Sequence, residues 1–152
     1  MDADLKIRRL TAVDVDLLHQ LNTVFAAAFE DEHTYTVAPP DETYCRQTLA
    51  KDHVIVLVAL KAVSVVGGLV AYELDKLEQA RREIYLYDLA IAESHRRHGI
   101  ATRLIERLGA VAHERGAWVV FVQADHGDEP AITLYEKLGV REEVLHFDLP
   151  VP

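Results

Sequence analysis

The sequence is poor in the residues that mark several classes of protein. Cys45 is the only cysteine, which excludes an internal disulfide framework and a cysteine-rich zinc site and fits a reducing compartment. Only 7 glycines and 5 prolines occur among 152 residues, too few for a collagen-like or low-complexity chain. Lysine and arginine number 16 against 25 acids, a formal charge of −9, so we expect no nucleic-acid partner and favour cationic partners.

Long apolar runs are also missing. No stretch approaches the roughly 20 apolar residues that a membrane helix needs, and the charged start, Met1 to Arg9, does not resemble a signal peptide. We therefore expect a cytoplasmic protein with no membrane partner. Half of the 152 residues are hydrophobic, which predicts a folded chain with one domain over residues 1–152.

Apolar spacing predicts an α/β fold in which helices pack on a mixed sheet. Thr11 and Asp14 have the spacing of a capping box at a helix start, and Gly67 with Gly68 suggests a bulge. The predicted order is strand Leu5–Leu10, a helix ending near Glu30, a loop over 30–40, helix 41–51, strands His53–Leu60, Val65–Leu74 and Glu83–Ile91, a loop over 92–98, a helix ended by Gly116, strand Trp118–Val122, helix Asp128–Leu138 and strand Val144–Leu149.

The turn between the third long strand and the following helix suits a pyrophosphate. Backbone N–H groups at a helix start attract anions, and Gly99 lies in the turn that enters this helix. From Glu93 to Arg115 there are five arginines and three acids, a net charge of +2 in an acidic protein. No Gly-Lys-Ser/Thr occurs, and one glycine is too few for a dinucleotide fingerprint, so another phosphate ligand is expected.

Two motifs resemble those of the GNAT superfamily of N-acetyltransferases. Arg96-x-x-Gly99-x-Ala101 after a hydrophobic strand is similar to that family's acyl-CoA pyrophosphate motif, Gln/Arg-x-x-Gly-x-Gly/Ala. Asp128-x-x-Ala131-x-x-Leu134-Tyr135-x-x-Leu138-Gly139 resembles its later Asn-x-x-Ala…Tyr…Gly segment, with Asp in place of the usual Asn. The resemblance extends from about Leu5 to Asp148. It implies a single-domain fold with a mostly antiparallel mixed sheet, splayed at the acetyl-CoA site and flanked by helices.

Three longer strings narrow the resemblance to the bacterial aminoglycoside 3-N-acetyltransferases of GNAT type. They are EIYLYDLA at 83–90, VQADHGD at 122–128 and EEVLHFD at 142–148. The resemblance implies transfer of acetyl from acetyl-CoA to the 3-amine of the deoxystreptamine ring, hence antibiotic resistance, and a homodimer. Which aminoglycosides are accepted stays open.

The same resemblance assigns donor-side roles. The splayed strand is expected to offer free N–H groups to the thioester oxygen, and Tyr135 to donate a proton to the leaving thiolate. The expected acetyl-CoA-binding residues are Leu89, Ala90, Ile91, Arg96, Arg97, His98, Gly99, Ile100, Ala101 and Thr102.

Acidic segments flank the proposed transfer site. Residues 10–45 contain seven acids and no lysine or arginine, and residues 121–148 contain seven acids and two bases. Carboxylates along a groove would bind the ammonium groups of an aminoglycoside. The expected substrate-binding residues are Glu30, Asp31, Glu32, Tyr35, Tyr85, Tyr87, Asp128 and Glu142.

Three carboxylates are candidates for the general base. A bound ammonium must lose a proton before it attacks, and Glu83, Asp88 and Asp125 end or line the central strands. Strand alternation places Glu83 on one face with Tyr85 and opposite to Asp88, unless a bulge intervenes. The residues alone do not choose among them.

A metal site is not expected. His95 and His98 lack a cysteine or acid at ligand spacing, and neighbouring arginines would repel a cation. Cys45 has no paired histidine, so a buried structural thiol is expected there.

Two other functions remain open from the sequence. One is acetylation of a different amine, such as a polyamine or a protein N-terminus. The other is a catalytically silent acetyl-CoA sensor. Release of CoA with aminoglycosides alone would separate all three.

Overall fold

A computed structural model describes residues 4–152. One five-stranded sheet has the order β1-β2-β3-β4-β5. The first three pairings are antiparallel and the β4–β5 pairing is parallel, which confirms the mostly antiparallel mixed sheet. The strands are β1 (Leu5–Arg9), β2 (Val54–Lys61), β3 (Ser64–Asp75), β4 (Arg82–Ile91) and β5 (Ala117–Val122).

Helices cover both faces of the sheet. They are α1 (Val15–Ala28), α2 (Glu32–Tyr35), α3 (Glu42–Leu49), α4 (Ile100–Glu114) and α5 (Glu129–Leu138), with a short 3₁₀ turn at Glu93–His95. Leu104 and Leu108 of α4 are buried against one face of the sheet, and Leu21 and Phe25 of α1 against the other. Because β2 lies between the two cores, Val54–Ala59 is buried throughout, as its unbroken apolar run predicts.

The sheet opens between β4 and β5. The parallel pairing starts at Arg82 and ends where Leu86 faces Val122, whereas β4 continues to Ile91. Among the described residues, the last five of β4 therefore have β3 on one side and no strand on the other. This is the splay that the family resemblance implies.

A bulge in β4 decides which way Asp88 points. Val70 pairs with Asp88 and Ala71 pairs with Leu86, so Tyr87 is an extra residue in β4. The bulge shifts the alternation by one position and brings Asp88 to the face of Tyr85, which pairs with Tyr72. Without it, Asp88 would point toward the core beneath α4.

Two sequence-based expectations about the first half of the chain need adjustment. The predicted loop over 30–40 contains α2, because the Asp31 side chain caps it by accepting from the Thr34 N–H (3.1 Å). The bulge in the β2–β3 hairpin falls at Val66, before the glycines. Gly68 serves close packing instead, since a Cβ there would lie 2.5 Å from the Leu57 carbonyl oxygen.

The capping-box spacing at Thr11 and Asp14 corresponds to a real contact. The Asp14 carboxylate accepts from the Thr11 N–H (2.7 Å) and from Arg8 (2.6 Å). The regular helix α1 begins just after it, at Val15. Asp14 therefore ties the end of β1 to the start of α1.

The predicted strand Val144–Leu149 is wrong for this chain on its own. Residues 140–152, called the tail below, contain no strand or helix and are exposed throughout. The reason is physical: a strand needs a neighbouring strand, and no part of residues 4–152 pairs with this segment.

Of the helices within residues 4–152, none combines the length and apolar composition needed to cross a membrane.

Candidate active site

Asp88 and Tyr35 form the centre of the site. The Tyr35 hydroxyl donates to Asp88 Oδ1 at 3.0 Å, across 53 positions of sequence. Tyr35 is held by ring contacts with Phe25 and Phe29, whose ring centroids lie 5.5 and 5.6 Å away. The last residue of α2 thus fixes the orientation of a carboxylate on β4, and Asp88 has a defined position at the opening of the sheet.

Burial changes the protonation of this pair. Burial raises the pKa of Asp88 above its usual range, and the hydrogen bond from Tyr35 opposes that rise with a smaller effect. Burial and the nearby Asp88 carboxylate raise the pKa of Tyr35, so its hydroxyl keeps its proton. Asp88 is therefore a stronger base than an ordinary surface carboxylate.

Several tyrosines cluster on the sheet face that carries Asp88. Tyr87 lies 5.3 Å from Tyr85 and 5.9 Å from Tyr72 between ring centroids. Burial raises the pKa values of Tyr72 and Tyr85, and the negative charge of Asp88 raises them further by a smaller amount. The arrangement offers a carboxylate and several aromatic faces, both of which bind ammonium groups.

A cavity of about 180 Å³ adjoins Asp88, between α1, α3 and strands β2 to β4. Asn22, Tyr44 and Tyr72 are among its polar lining residues, and Cys45 and Leu49 are among its apolar ones. Pockets that enclose a drug-sized ligand measure roughly 300–1,000 Å³. This cavity therefore accommodates one part of such a ligand, with the rest lying across the open surface.

The other two base candidates have different surroundings. Glu83 shares the face of Tyr85, but its Oε2 lies 3.9 Å from the Lys76 ammonium. Asp125 is exposed in the turn after β5. Neither carboxylate lines the cavity next to Asp88.

The turn at Gly99 has the shape expected of an anion cradle. Gly99 adopts a left-handed conformation (φ 76°) and precedes α4, and Arg97 also has a positive φ of 65°. In the part of the chain that the structure describes, no side chain caps the first N–H groups of α4, at Ile100, Ala101 and Thr102. A Cβ on Gly99 would have no atom within 4 Å, so space over the turn is open. A pyrophosphate fits these donors.

The remaining donor-side residues connect this turn to the splay. Leu89, Ala90 and Ile91 lie on the part of β4 that has no β5 neighbour. Arg96 Nε donates to the Ile91 carbonyl at 3.1 Å and so fixes the end of β4 relative to the turn. Arg97 and His98 are exposed beside it.

Tyr135 is partly buried on α5. Burial, with a smaller contribution from Asp128, raises its pKa to about 12, so its hydroxyl is protonated at neutral pH. Asp128 caps α5 by accepting from the Ala131 N–H at 3.4 Å. The Asp in place of the family's usual Asn therefore has a structural role.

The predicted acidic residues do not all meet. Asp31 is close enough to influence Tyr35, and its own pKa is lowered by hydrogen bonds from Thr34. Glu30 and Glu32 are exposed beside it, whereas Glu142 lies in the exposed tail. The predicted acids at 30–32 therefore lie next to Tyr35 in the chain, whereas Glu142 is not brought to them.

Sequence reasoning missed Tyr72 and Tyr44. Both line the cavity, and Tyr72 pairs with Tyr85 across β3 and β4. The pairing register of β3 with β4 would have indicated Tyr72, because residues that pair across two strands lie on the same face of the sheet. Tyr44 lacked such a signal, since its position depends on how α3 packs.

Cys45 is buried and its Sγ contacts the Pro40 carbonyl oxygen at 3.7 Å. This confirms the expected buried thiol, and burial raises the pKa of its Sγ. Within residues 4–152, no group of three or more His, Cys, Asp or Glu side chains is arranged to hold a metal ion.

This combination of a splayed sheet, a glycine turn before α4 and a tyrosine on the next helix agrees with a sequence comparison. Residues 18–140 match the acetyltransferase (GNAT) family. The chain belongs to the GNAT acetyltransferase family. It is therefore an acetyltransferase, and GNAT enzymes use acetyl-CoA as the acetyl donor.

Solved structures of GNAT acetyltransferases extend the comparison. The chain is 53% identical to an aminoglycoside acetyltransferase, HMB0005, from an uncultured soil metagenomic sample, with both chains covered in full (100%) and a TM-score of 0.96. It is 32% identical to meta-AAC0020, an aminoglycoside acetyltransferase from an uncultured soil metagenomic sample solved in complex with sisomicin. That match covers 98% of this chain and 97% of the other, with a TM-score of 0.90.

A more distant GNAT structure shares the fold alone. The ribosomal-protein-alanine N-acetyltransferase of Brucella melitensis biovar Abortus 2308 is 22% identical, with 97% and 99% of the two chains covered and a TM-score of 0.75. The comparison with curated protein sequences gives no match.

Proposed function

We propose that this GNAT acetyltransferase transfers acetyl from acetyl-CoA to the 3-amino group of the deoxystreptamine ring of aminoglycosides. The observation that carries the proposal is the half-buried Asp88 carboxylate, on the sheet face where several tyrosines cluster and at the point where the sheet opens. The 53% identity to an aminoglycoside acetyltransferase over the full chain supports the substrate class.

The tyrosine-lined carboxylate would recognise a cationic amine. An ammonium group beside Asp88 forms charge-assisted hydrogen bonds, and the rings of Tyr85 and Tyr87 offer cation–π contacts of about 0.5–2 kcal/mol each. Asp31 and the exposed Glu30 and Glu32 add negative potential at the same edge. A substrate with several amines gains from each of these contacts, which favours an aminoglycoside over a monoamine.

Asp88 acts as the general base in this proposal. It takes a proton from the substrate ammonium and thereby frees the nitrogen electron pair for attack on the acetyl carbon. The raised pKa of Asp88 favours this transfer near neutral pH. Glu83 serves less well, because the Lys76 ammonium, 3.9 Å from its Oε2, competes with a substrate ammonium for this carboxylate.

The donor side stabilises charge on oxygen and sulfur. Acetyl-CoA supplies a thioester-activated acetyl group. The free edge of β4 near Leu89 and Ala90 offers N–H groups to the thioester oxygen, and the Gly99 turn holds the pyrophosphate. Tyr135 keeps its proton at neutral pH and donates it to the departing sulfur.

The enzyme would act as a homodimer in the cytoplasm and confer resistance on its host. The dimer follows the family resemblance. The cytoplasm is the compartment in which acetyl-CoA is available, and acetylation removes a positive charge through which the drug binds its target.

A direct test compares three classes of amine. Purified protein with acetyl-CoA and a thiol-detecting dye is assayed with sisomicin, with spermidine and with a peptide bearing a free N-terminus. The proposal predicts rapid CoA release with sisomicin and no release above background with the others. Release with spermidine alone or with the peptide alone would show that this other amine, and not an aminoglycoside, is the substrate. Release with none of the three would favour an acetyl-CoA sensor.

A further inference from the structure

A second cavity lies at the end of the sheet where β4 begins. It has a volume of about 370 Å³ and is bounded by the turn between β3 and β4 and by the residues that follow α4. One of its lining residues is an acid, Asp75, and four are cations: Lys76, Arg81, Arg82 and Arg115. This local excess of positive charge, in a chain with a formal charge of −9, favours an anionic ligand.

The cavity is remote from the acetyl-transfer site. Strand β4 begins at Arg82, which lines the cavity, and extends roughly 30 Å, at about 3.3 Å per residue, to Ile91. Arg115 follows the last residue of α4, whereas Gly99 precedes its first. The cavity beside Asp88 shares no lining residue with this one. A ligand here would therefore occupy neither the Gly99 turn nor the space beside Asp88.

Two of the four cations already have close partners. Arg115 donates to both carboxylate oxygens of the buried Glu73, each at 2.8 Å. Arg82 donates from Nε to Asp75 Oδ1 at 3.0 Å and from Nη1 to the Arg115 carbonyl oxygen at 3.1 Å. These bonds fix one part of the lining, and Glu73 and Asp75 balance the two charges.

The other two cations, Lys76 and Arg81, have weaker partners. Lys76 Nζ lies 3.9 Å from Oε2 of Glu78 and 3.9 Å from Oε2 of Glu83, beyond hydrogen-bonding distance. Arg81 Nη2 donates to Glu78 Oε1 at 3.4 Å, which is long for a charge-assisted bond. Among the residues that the structure describes, Arg81 Nε is the one buried side-chain nitrogen or oxygen without a hydrogen-bond partner. Lys76 and Arg81 therefore have unused capacity to donate to an acceptor.

Trp118 gives Arg81 a fixed position. Arg81 Cζ lies 4.1 Å from the centroid of the Trp118 ring, a cation–π contact. Elsewhere in the lining, Gly116 has a left-handed backbone (φ 72°), and a Cβ there would have no atom within 4 Å. The cavity thus combines a positioned guanidinium and an ammonium group with open space at Gly116.

We propose that Lys76 and Arg81 bind the phosphate group of a small phosphate ester in this cavity. The guanidinium offers two parallel donors to phosphate oxygens, and the ammonium adds a compact positive charge. At about 370 Å³ the cavity lies within the size range of small-molecule pockets, so the organic part of the ester also fits. The inference does not depend on the proposed acetyl acceptor.

The carboxylate of Glu78 sets the class of anion. Glu78 lies near both Lys76 and Arg81, so a ligand must compete with it for these cations. A phosphate monoester has a charge of about −1.5 to −2 at neutral pH and three acceptor oxygens. It therefore competes better than a ligand with a single carboxylate.

Calorimetry tests the site with glycerol 3-phosphate, glucose 6-phosphate and inorganic phosphate. The protein is first saturated with CoA, so that the Gly99 turn is already filled. We expect saturable binding at one site per chain, tighter for an ester than for inorganic phosphate, and no binding of glycerol. Binding of no phosphate would overturn the proposal, and so would binding that CoA abolishes, since it would belong to the Gly99 turn. Equal affinity for all three would reject the ester and leave inorganic phosphate as the ligand.

Variants of the cavity locate the bound phosphate. Lys76→Gln and Arg81→Gln are each expected to raise the dissociation constant at least about tenfold. The matched control, Arg141→Gln, removes an exposed arginine outside the cavity and should change the constant little. Unchanged constants in both Lys76→Gln and Arg81→Gln would overturn the assignment.

Glu78→Gln is expected to have the opposite effect. It removes the carboxylate that competes for both cations and keeps the length of the side chain. The dissociation constant should fall about two- to fivefold, a gain that misfolding cannot produce. A higher constant in Glu78→Gln would contradict the proposal.

Discussion

The region around Asp88 and the region after Val122 are built in different ways. Asp88 is positioned by residues distant in sequence: Tyr35 is 53 positions away, and the bulge at Tyr87 depends on pairing with β3. Helix α5 and the tail have no buried residue, and within residues 4–152 the side chains of the tail bond only to residues within five positions. The proposed general base is thus fixed by packing between distant parts of the chain, whereas the C-terminal part is exposed and makes local contacts.

Removing the negative charge of Asp88 should produce the largest effect on the rate. Asp88→Asn keeps the shape and the contact with Tyr35 but cannot accept the substrate proton. We expect kcat/KM for an aminoglycoside to fall about 10³- to 10⁴-fold, with acetyl-CoA binding unchanged by calorimetry. Glu83→Gln is the matched control, and an equal fall in that variant would point to Glu83 as the base.

Two arginine ion pairs, one before Val122 and one after it, are expected to contribute differently to the free energy of unfolding. Arg115 donates two 2.8 Å bonds to the buried Glu73, whereas Arg141 pairs with the exposed Glu136 and Glu143. Arg115→Met should lower the free energy of unfolding by about 3–5 kcal/mol, since it leaves a buried charge unpaired. Arg141→Met should change it little. Urea titrations measure both, and equal losses would refute the contrast.

The pH dependence of that loss has a definite sign. Hydrogen bonds from Arg115 lower the pKa of Glu73 in the folded protein. This group therefore stabilises the unchanged chain above its unfolded pKa of about 4.3, and the contribution is lost as the pH falls below it. Without Arg115, burial raises the pKa of Glu73, so the variant should recover stability on acidification. The difference between the two proteins should be larger at neutral pH than in mild acid.

Tyr135→Phe tests the donor side. We expect kcat to fall about 10²-fold, since the departing sulfur loses its proton donor, while the dissociation constant of acetyl-CoA stays the same. An unchanged kcat would remove Tyr135 from catalysis. Tyr44→Phe is a matched control on the amine side and should leave the release of sulfur unaffected.

The smallest effect is expected from Tyr35→Phe. Its hydroxyl lowers the pKa of Asp88, so its removal should raise that pKa further. The acidic limb of the kcat/KM profile, where Asp88 becomes protonated, should then move to higher pH. Tyr87→Phe, which makes no hydrogen bond with Asp88, should leave the limb in place. A limb that does not move in Tyr35→Phe would contradict the assignment of the limb to Asp88.

The order of elements up to Leu138 could be predicted from the sequence, apart from α2, because apolar periodicity and end signals are local. The Gly99 turn was predictable for the same reason. The orientation of Asp88 was not, since alternation alone places it on the wrong face and the bulge depends on the register with β3. The predicted strand Val144–Leu149 was wrong, because apolar alternation is a local signal whereas a strand also needs a neighbouring strand, which residues 4–152 do not supply.

The position of the acetyl group in the product tests the central claim most directly. The enzyme is incubated with acetyl-CoA and sisomicin, and the product is examined by mass spectrometry and two-dimensional NMR. We predict one added acetyl group, on the 3-amine of the deoxystreptamine ring. An acetyl group on another amine would contradict the proposed position, and recovery of unmodified sisomicin would contradict the proposed function.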